Sequence, residues 1–529
     1  MLRSVFWRSP SQKVGFRGLG LSKRRKALIT LATLIGTFLA ALDSTVVGTA
    51  MPTVIGELGG LSLYPWVFAS YLLAATVTGP VFGKPSDTYG RKHVYLAGIF
   101  LFLAGSVLAG TSQTMAGLIA FRTLQGLGAG AVQPIAITIV GDIFALETRA
   151  RVQGLFGAVW GISAVLGPAA GGLITDYVSW RWVFYVNLPF GLVAAALLAA
   201  TLTEGSVRED SAGRRVDYLG ISLLTGGLVA VLLALLGGGS GGVPSLSAST
   251  LALFFGGATT LALFVAVETR VENPVVPLGL FGDRIFAVAV FGNLALGGVL
   301  FGVSVYVPLF VQGSLSGTAL TAGAVVAPVS IGWPIASFVG GRMLLVTGYR
   351  ATLLLGSALI AVGGGLCVPM GEETPLWYVV AAVFIIGLGL GFTSTSYLVS
   401  VQNAVPWNRR GSATSSIVFF RTVGGSVAVA VMGALLNASL GARYEFAVER
   451  ASGGDADLAD LLADPNSLLQ PALREQIPAG SYAELAGSLA AALSPTFWAI
   501  LALGVLALVA AAFFPGGHAK DLVNREEKS

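Results

Sequence analysis

Charge is scarce in this chain. Lys, Arg, Asp and Glu make up 11% of its 529 residues, where soluble domains carry about 25%. Too few polar groups remain to cover a water-soluble particle, which excludes that class. Cysteine is nearly absent: Cys367 stands alone, so no internal disulfide framework can form. The only two histidines, His93 and His518, lie far apart at the edges of apolar runs. No metal cluster, no histidine-based nucleophile and no cofactor is expected. The long apolar runs also lack paired carboxylates, which argues against a membrane-embedded enzyme. A net charge of +5 does not indicate nucleic acid, because the basic residues fall in short stretches between apolar runs.

What is abundant is apolar sequence: 55% hydrophobic residues and a mean hydropathy of +0.81. A helix of about 20 such residues crosses a hydrocarbon core of ~30 Å. The uncharged runs predict fourteen spans, at 27–52, 63–82, 93–112, 115–141, 152–174, 182–202, 217–237, 249–268, 285–311, 319–341, 351–369, 375–401, 411–436 and 494–515. The expected class is an all-α polytopic membrane protein. Residues 1–26 hold eight basic residues and no acid. The apolar run behind them is too long for a signal-peptide core, so it reads as a retained first span with a cytoplasmic tail. With this assignment all Lys and Arg lie on the cytoplasmic side except Arg122 and Arg421 within spans and Arg181, Arg443, Arg450 and Arg474 outside. Both termini are therefore expected in the cytoplasm, 516–529 forming the second tail. The acid-rich stretch 437–493 is expected as an external loop, with a short helix near Leu458–Leu462. Capture of substrate by that stretch is a second reading.

The densest charge between two apolar runs is Gly83–Lys92, GKPSDTYGRK. The spacing of Gly83 and Gly90 predicts a tight reversal there. Gly341 and Gly348, followed by Arg350, repeat it, with Leu345 in the place of Asp87. The repeat divides the chain into a six-helix half at 27–202, an inserted helix pair within 203–284 and a second six-helix half at 285–515.

Charged side chains deep in hydrocarbon need a partner or a function. Asp43, Arg122 and Arg421 are the three. Asp43 lies ten residues before Thr53 and Arg122 nine after Gln113, hence about 15 and about 14 Å below the same surface. Two readings fit an Asp43–Arg122 pair: a static buried brace, or a carboxylate that alternates between Arg122, a proton and substrate. Asp142 is expected to meet Arg91 or Lys92. Arg421 is expected to bond to carbonyls or to a polar group such as Asn293. Gly126-x-x-x-Gly130 and Gly387-x-Gly-x-Gly391 lie in apolar spans without a preceding strand, so they read as helix-packing faces rather than nucleotide loops.

Several of these stretches carry a resemblance. Gly83, Asp87, Gly90, Arg91 and Lys92 match the loop between the second and third spans of the major facilitator superfamily, with Pro85 and Thr88 departing from it. Leu42-Asp43-Ser-Thr45-Val-Val-Gly48-Thr-Ala50-Met-Pro52 resembles the first-span signature of its fourteen-span drug:proton antiporters, with Gly48 where Asn is usual. Leu118-x-x-x-Arg122-x-x-Gln125-Gly126-x-Gly128 resembles the fourth-span motif whose arginine is implicated in proton transfer. Gly161 and Gly167-Pro168-Ala-Ala-Gly171-Gly172 resemble the fifth-span antiporter motif, Ser163 replacing a usual Gly. Phe419-Phe420-Arg421-Thr-Val-Gly424-Gly425 resembles the penultimate-span pattern.

The resemblance implies two six-helix bundles plus two inserted helices, working by alternating access as a proton-coupled antiporter that exports lipophilic small molecules. No covalent chemistry is implied. Asp43 and Arg122 would couple to protons, and Gly83, Asp87, Gly90, Arg91, Lys92 and Asp142 would form a gate. Gly161, Gly167, Pro168, Gly171 and Gly172 would form a kinked packing face. Asp43, Gln125, Trp160, Asn293 and Arg421 are the substrate-cavity candidates, with Trp66, Tyr71 and Trp160 as aromatic faces for a monovalent cation. The expected partners are a small-molecule substrate, protons and the bilayer of the cell membrane. The protein is expected to act as a monomer. Export of an endogenous metabolite, lipid, amino acid or siderophore remains the alternative.

Overall fold

A computed structural model of the chain describes residues 22–516, apart from 145, 204–216, 237–246, 272–273, 275, 277, 406–409, 454 and 471–475. Among the described residues there is no strand. Among them, fourteen helices are long and apolar enough to cross a membrane. They are α1 Lys23–Leu58, α2 Tyr64–Thr88, α3 Arg91–Gly110, α4 Met115–Ile143, α5 Leu146–Tyr177 and α6 Trp182–Thr201. After these come α7 Tyr218–Leu236, α8 Ala248–Glu268, α9 Arg284–Gly313, α10 Ala319–Thr347, α11 Tyr349–Cys367, α12 Leu376–Ala404, α13 Arg410–Ser452 and α14 Ala479–Ala512.

Their starts follow sequence. Ser22, Thr114, Ser247, Asp283 and Thr318 stand just outside α1, α4, α8, α9 and α10, and each accepts a hydrogen bond from a first-turn amide. Within the helices, hydroxyls such as those of Thr37, Thr76 and Thr393 donate to carbonyls one turn back. In hydrocarbon this satisfies groups that have no water to turn to.

Packing gives two equivalent six-helix sets. In the first, α1 packs on α4, α5 and α6, and α4 on α2 and α3. In the second, α9 packs on α12, α13 and α14, and α12 on α10 and α11. The sets meet along two matching seams, α5 against α10 and α13 against α2, with α1 against α9 between them. The inserted α7 lies on α2 and α13, and α8 packs chiefly on α7. The repeat seen in the sequence has a conformational basis. Gly90 and Gly348 hold φ of +94° and +83° where α2 passes into α3 and α10 into α11, a region that penalises a Cβ. Gly83 and Gly341 are interior to helices α2 and α10. The expected reversal at Gly83 is therefore corrected: the turn is made at Gly90 alone, and α2 runs on for six residues past the predicted end of its span.

The stretch 437–493 also differs from expectation. α13 continues to Ser452 and α14 begins at Ala479, so most of the supposed loop is helix that stands beyond the expected spans. The short helix Ala456–Leu462 does occur. Between α13 and α14 the chain folds back over the α1–α2 turn, burying Leu462, Leu468, Leu469 and Ile477. Asn466 Oδ1 accepts from the Leu61 amide at 3.1 Å. Eight acids suggested a solvated loop, but the sparse leucines between them decide its packing.

Candidate functional site

The bundles touch most closely at the face opposite the N-terminus, called here the far face. There Gln312 Nε2 donates to the Thr49 carbonyl at 2.9 Å, Asn437 Nδ2 to Ser62 O at 3.1 Å, and Ser426 Oγ to Ala69 O at 3.2 Å. The Asp176 carboxylate, on the last turn of α5, accepts from the Ala319 and Leu320 amides at 3.1 and 2.8 Å. These amides open α10, where the helix dipole favours an anion.

The small residues of the fifth helix let it approach α1 within its own bundle and α10 across the seam. A Cβ on Gly167 would strike Thr45 of α1, one on Gly171 would lie 2.5 Å from the Val46 carbonyl, and one on Gly172 would lie 2.7 Å from the Ala319 carbonyl. Gly323 of α10 sits against the Pro168 carbonyl. Gly161 has more room, with Pro334 of α10 at 3.8 Å. Gly48 is explained in the same way, since Ser304 O of α9 lies 2.7 Å from where its Cβ would be. An asparagine there does not fit between the bundles in this conformation.

Asp43 and Arg122 meet as expected. Both are buried, at 0% and 1% exposure, and Arg122 Nη1 lies 2.6 Å from Asp43 Oδ2. Gln125, one turn along α4, donates Nε2 to Asp43 Oδ1 at 2.7 Å and accepts from Arg122 Nη1 at 2.7 Å. The guanidinium lies over the Tyr71 ring, 4.0 Å from its centroid. Gly126 and Gly128 place α4 for this, since Cβ atoms there would lie 2.5 Å from the Tyr71 carbonyl of α2 and 2.6 Å from the Gly98 carbonyl of α3.

Two members of the network were missed in the sequence. Asn187 Nδ2 donates to Asp43 Oδ1 at 2.9 Å and to Ser106 Oγ at 3.0 Å. Ser106 Oγ also accepts from Gln125 at 3.2 Å and donates to the Phe184 carbonyl at 2.8 Å. Asn187 follows a one-residue interruption of α6 at Val186. Pro189 causes it by lacking the amide that would reach the Tyr185 carbonyl. A lone amide beside a proline in an apolar span was the available signal.

The remaining candidates lie elsewhere. Asn293 is buried but donates to Ala289 O of its own helix at 2.8 Å, so the expected Asn293–Arg421 bond is not formed. The Arg421 guanidinium instead faces the Trp333 ring at 5.9 Å and, among the described residues, makes no ion pair. Trp160 is half-buried, its indole N–H without a partner among the described residues. Trp66 packs into the apolar seam of α2, α7 and α13, away from Asp43. Of the residues expected to form a gate, Arg91 pairs with Asp142 and donates to Thr138 O at 3.3 Å, whereas Lys92 donates to Ala199 O at 2.7 Å. The Asp87 side chain lies outside the described residues. Among the described residues no cluster of metal-ligating side chains occurs.

Comparison with known proteins agrees with this architecture. The profile of the Major Facilitator Superfamily matches residues 33–429. The multidrug transporter protein MdtP of Bacillus subtilis (strain 168) is 34% identical over 508 residues, covering 94% of this chain and 93% of the relative. Multidrug resistance protein 3 of the same organism is 32% identical over 503 residues, covering 95% and 97%. Among solved structures, a bacterial homolog to the human lysosomal transporter Spinster, in an inward-facing and occupied conformation, superposes with a TM-score of 0.62 at 16% identity, covering 95% of this chain and 98% of that one. The chain belongs to the Major Facilitator Superfamily, and it is a multi-pass membrane transporter rather than an enzyme.

Proposed function

We propose that the protein is a proton-coupled antiporter that exports lipophilic small molecules by alternating access. The observation that carries this reading is the buried Asp43, an anion held by Arg122, Gln125 and Asn187 in the middle of the first bundle. A carboxylate removed from water is costly to keep without a use. Proton binding at Asp43 would release Arg122, and rebinding of Arg122 would expel the proton. The two relatives, named for multidrug transport and multidrug resistance, support drug-like small molecules as cargo.

In this reading the N-terminal face is cytoplasmic, the protein resides in the cell membrane and one copy is the working unit. The bundles 27–202 and 285–515 rock against each other, with the pair within 203–284 as an insertion. The closed far face then corresponds to a state sealed from outside. Gln125, Trp160, Asn293 and Arg421 are offered as the polar and aromatic lining of the substrate path. Gly83, Asp87, Gly90, Arg91, Lys92 and Asp142 are offered as its inner gate.

The test is gradient-driven transport in vesicles by wild type and Asp43→Asn, screened over dyes and cellular metabolites. Asp43→Asn is expected to abolish proton-driven accumulation while retaining substrate binding. Full gradient-driven transport by the purified variant would sink the proposal.

A further inference from the structure

Around Asp43 the hydrogen-bond inventory suits the ionised carboxylate. Oδ2 accepts from Arg122 Nη1, and Oδ1 accepts from Gln125 Nε2 and Asn187 Nδ2. Every neighbour is a donor, which suits a carboxylate. A carboxylic acid carries an O–H and needs an acceptor. The Gln125 oxygen is already taken by Arg122, and the Ser106 oxygen already accepts from Gln125 and Asn187. Asn187 Oδ1 is different: it is buried and, among the described residues, has no hydrogen-bond partner. A buried acceptor left unpaired is costly, so its retention calls for a reason.

We infer that Asn187 is the positioning residue that registers the proton on Asp43. With Asp43 ionised, its amide N–H groups hold Asp43 and Ser106, as seen. When Asp43 takes a proton, a half-turn of the amide presents Oδ1 to the new O–H. Asp43 O⁻ gains H⁺, no other bond is made or broken covalently, and both Asn187 donors are withdrawn. Of the two ties between α6 and α3 through Ser106, the one from Asn187 is lost in the same motion, while the bond from Ser106 to the Phe184 carbonyl stays. Proton uptake is thereby converted into a loosening of two helices of the first bundle.

The charged or titratable groups facing Asp43 are Arg122 of α4 and Tyr71 of α2, whose ring lies under the guanidinium. From α3 and α6 come Ser106 and Asn187, which do not titrate. α5 meets α1 through Gly167, Gly171 and the Ser163 carbonyl, and α9 through Ser304 and Gln312. Asn187 is thus the one neutral neighbour with both a donor and an idle acceptor.

The inference rests on Asp43 as the proton site, and the experiment separates the two. Purified protein in lipid nanodiscs, with the asparagine side-chain amide isotopically labelled, is titrated between neutral and acid pH by infrared difference spectroscopy. Wild type is expected to show a carboxylic C=O band that Asp43→Asn lacks. A shifted asparagine C=O band should accompany it, absent from both Asp43→Asn and Asn187→Leu. Proton-driven export by Asn187→Leu should fall about tenfold, the scale of one lost hydrogen bond to a charged group. Asn187→Thr, whose hydroxyl both donates and accepts, should recover most of it. If no Asp43-dependent carboxylic band appears, the proton-coupling reading itself fails. If that band appears but the asparagine band stays silent, the role given to Asn187 is overturned and Asp43 stands. The asparagine band in wild type against Asp43→Asn decides the matter even if Asn187→Leu does not fold.

Discussion

At the scale of single residues, the Asp43–Arg122 pair is a commitment rather than a source of net stability. Desolvation of two ions offsets much of their attraction, yet removal of one leaves the other stranded at a cost of about 3–5 kcal/mol. Arg122→Gln is therefore expected to lower thermal stability sharply. The double variant Asp43→Asn with Arg122→Gln should recover most of that loss, because two amides need no counter-charge, while remaining inactive in proton-driven transport. Thermal unfolding of the four proteins, single and paired, measures this coupling. A loss in the double variant equal to the sum of the two single losses would show that the two side chains are energetically independent. The pairing itself was legible in the sequence, since two opposite charges at matched depth in apolar spans have few alternatives. Asn187 and Ser106 were not legible, because an uncharged polar residue can satisfy itself on its own helix, as Asn293 does with Ala289.

At the scale of helices, the seam between α5 and α10 is fixed by the absence of side chains. Gly172→Val would drive a branched side chain into the backbone of Leu320 and Ala319, and overpacking of this kind costs about 1–3 kcal/mol. The closed far face should become correspondingly less populated. The single cysteine, Cys367, is buried, so a Cys367→Ser background permits a reporter at Ala322, which is buried near this seam. Labelling of that reporter from the far face is expected to accelerate about tenfold in Gly172→Val, as ~1.4 kcal/mol implies. An unchanged rate would remove the seam from any account of closure. Helix number and order were legible here, because uncharged runs of bilayer length have one stable form. Helix ends were not: hydropathy marks where lipid stops, whereas α2 and α13 continue past it. The Gly83 turn failed for a related reason, since glycine permits a reversal without requiring one.

At the scale of the molecule, charge bears on cargo. The candidate path holds one acid, Asp43, already engaged by three donors, and a cation, Arg421, that faces the Trp333 ring and makes no ion pair among the described residues. A dication entering it would lose hydration without recovering carboxylate partners, a penalty of several kcal/mol. Neutral or monovalent lipophilic compounds are expected to be exported, and dications of similar size poorly. Matched mono- and dicationic dyes in proton-loaded vesicles test this, and stronger transport of the dication would contradict it. The two seams, equivalent between the bundles, are unequal toward the lipid. α7 lies along the seam of α2 and α13, and α8, clothed in exposed Leu251, Phe254, Phe255 and Leu263, lies outside it. Among the described residues the seam of α5 and α10 has no such cover, and Leu166, Ile335 and Phe338 face outward beside it. An oily compound dissolved in the bilayer thus meets a fence on one flank and bare helices on the other, so the inserted pair gives a two-fold machine a front and a back.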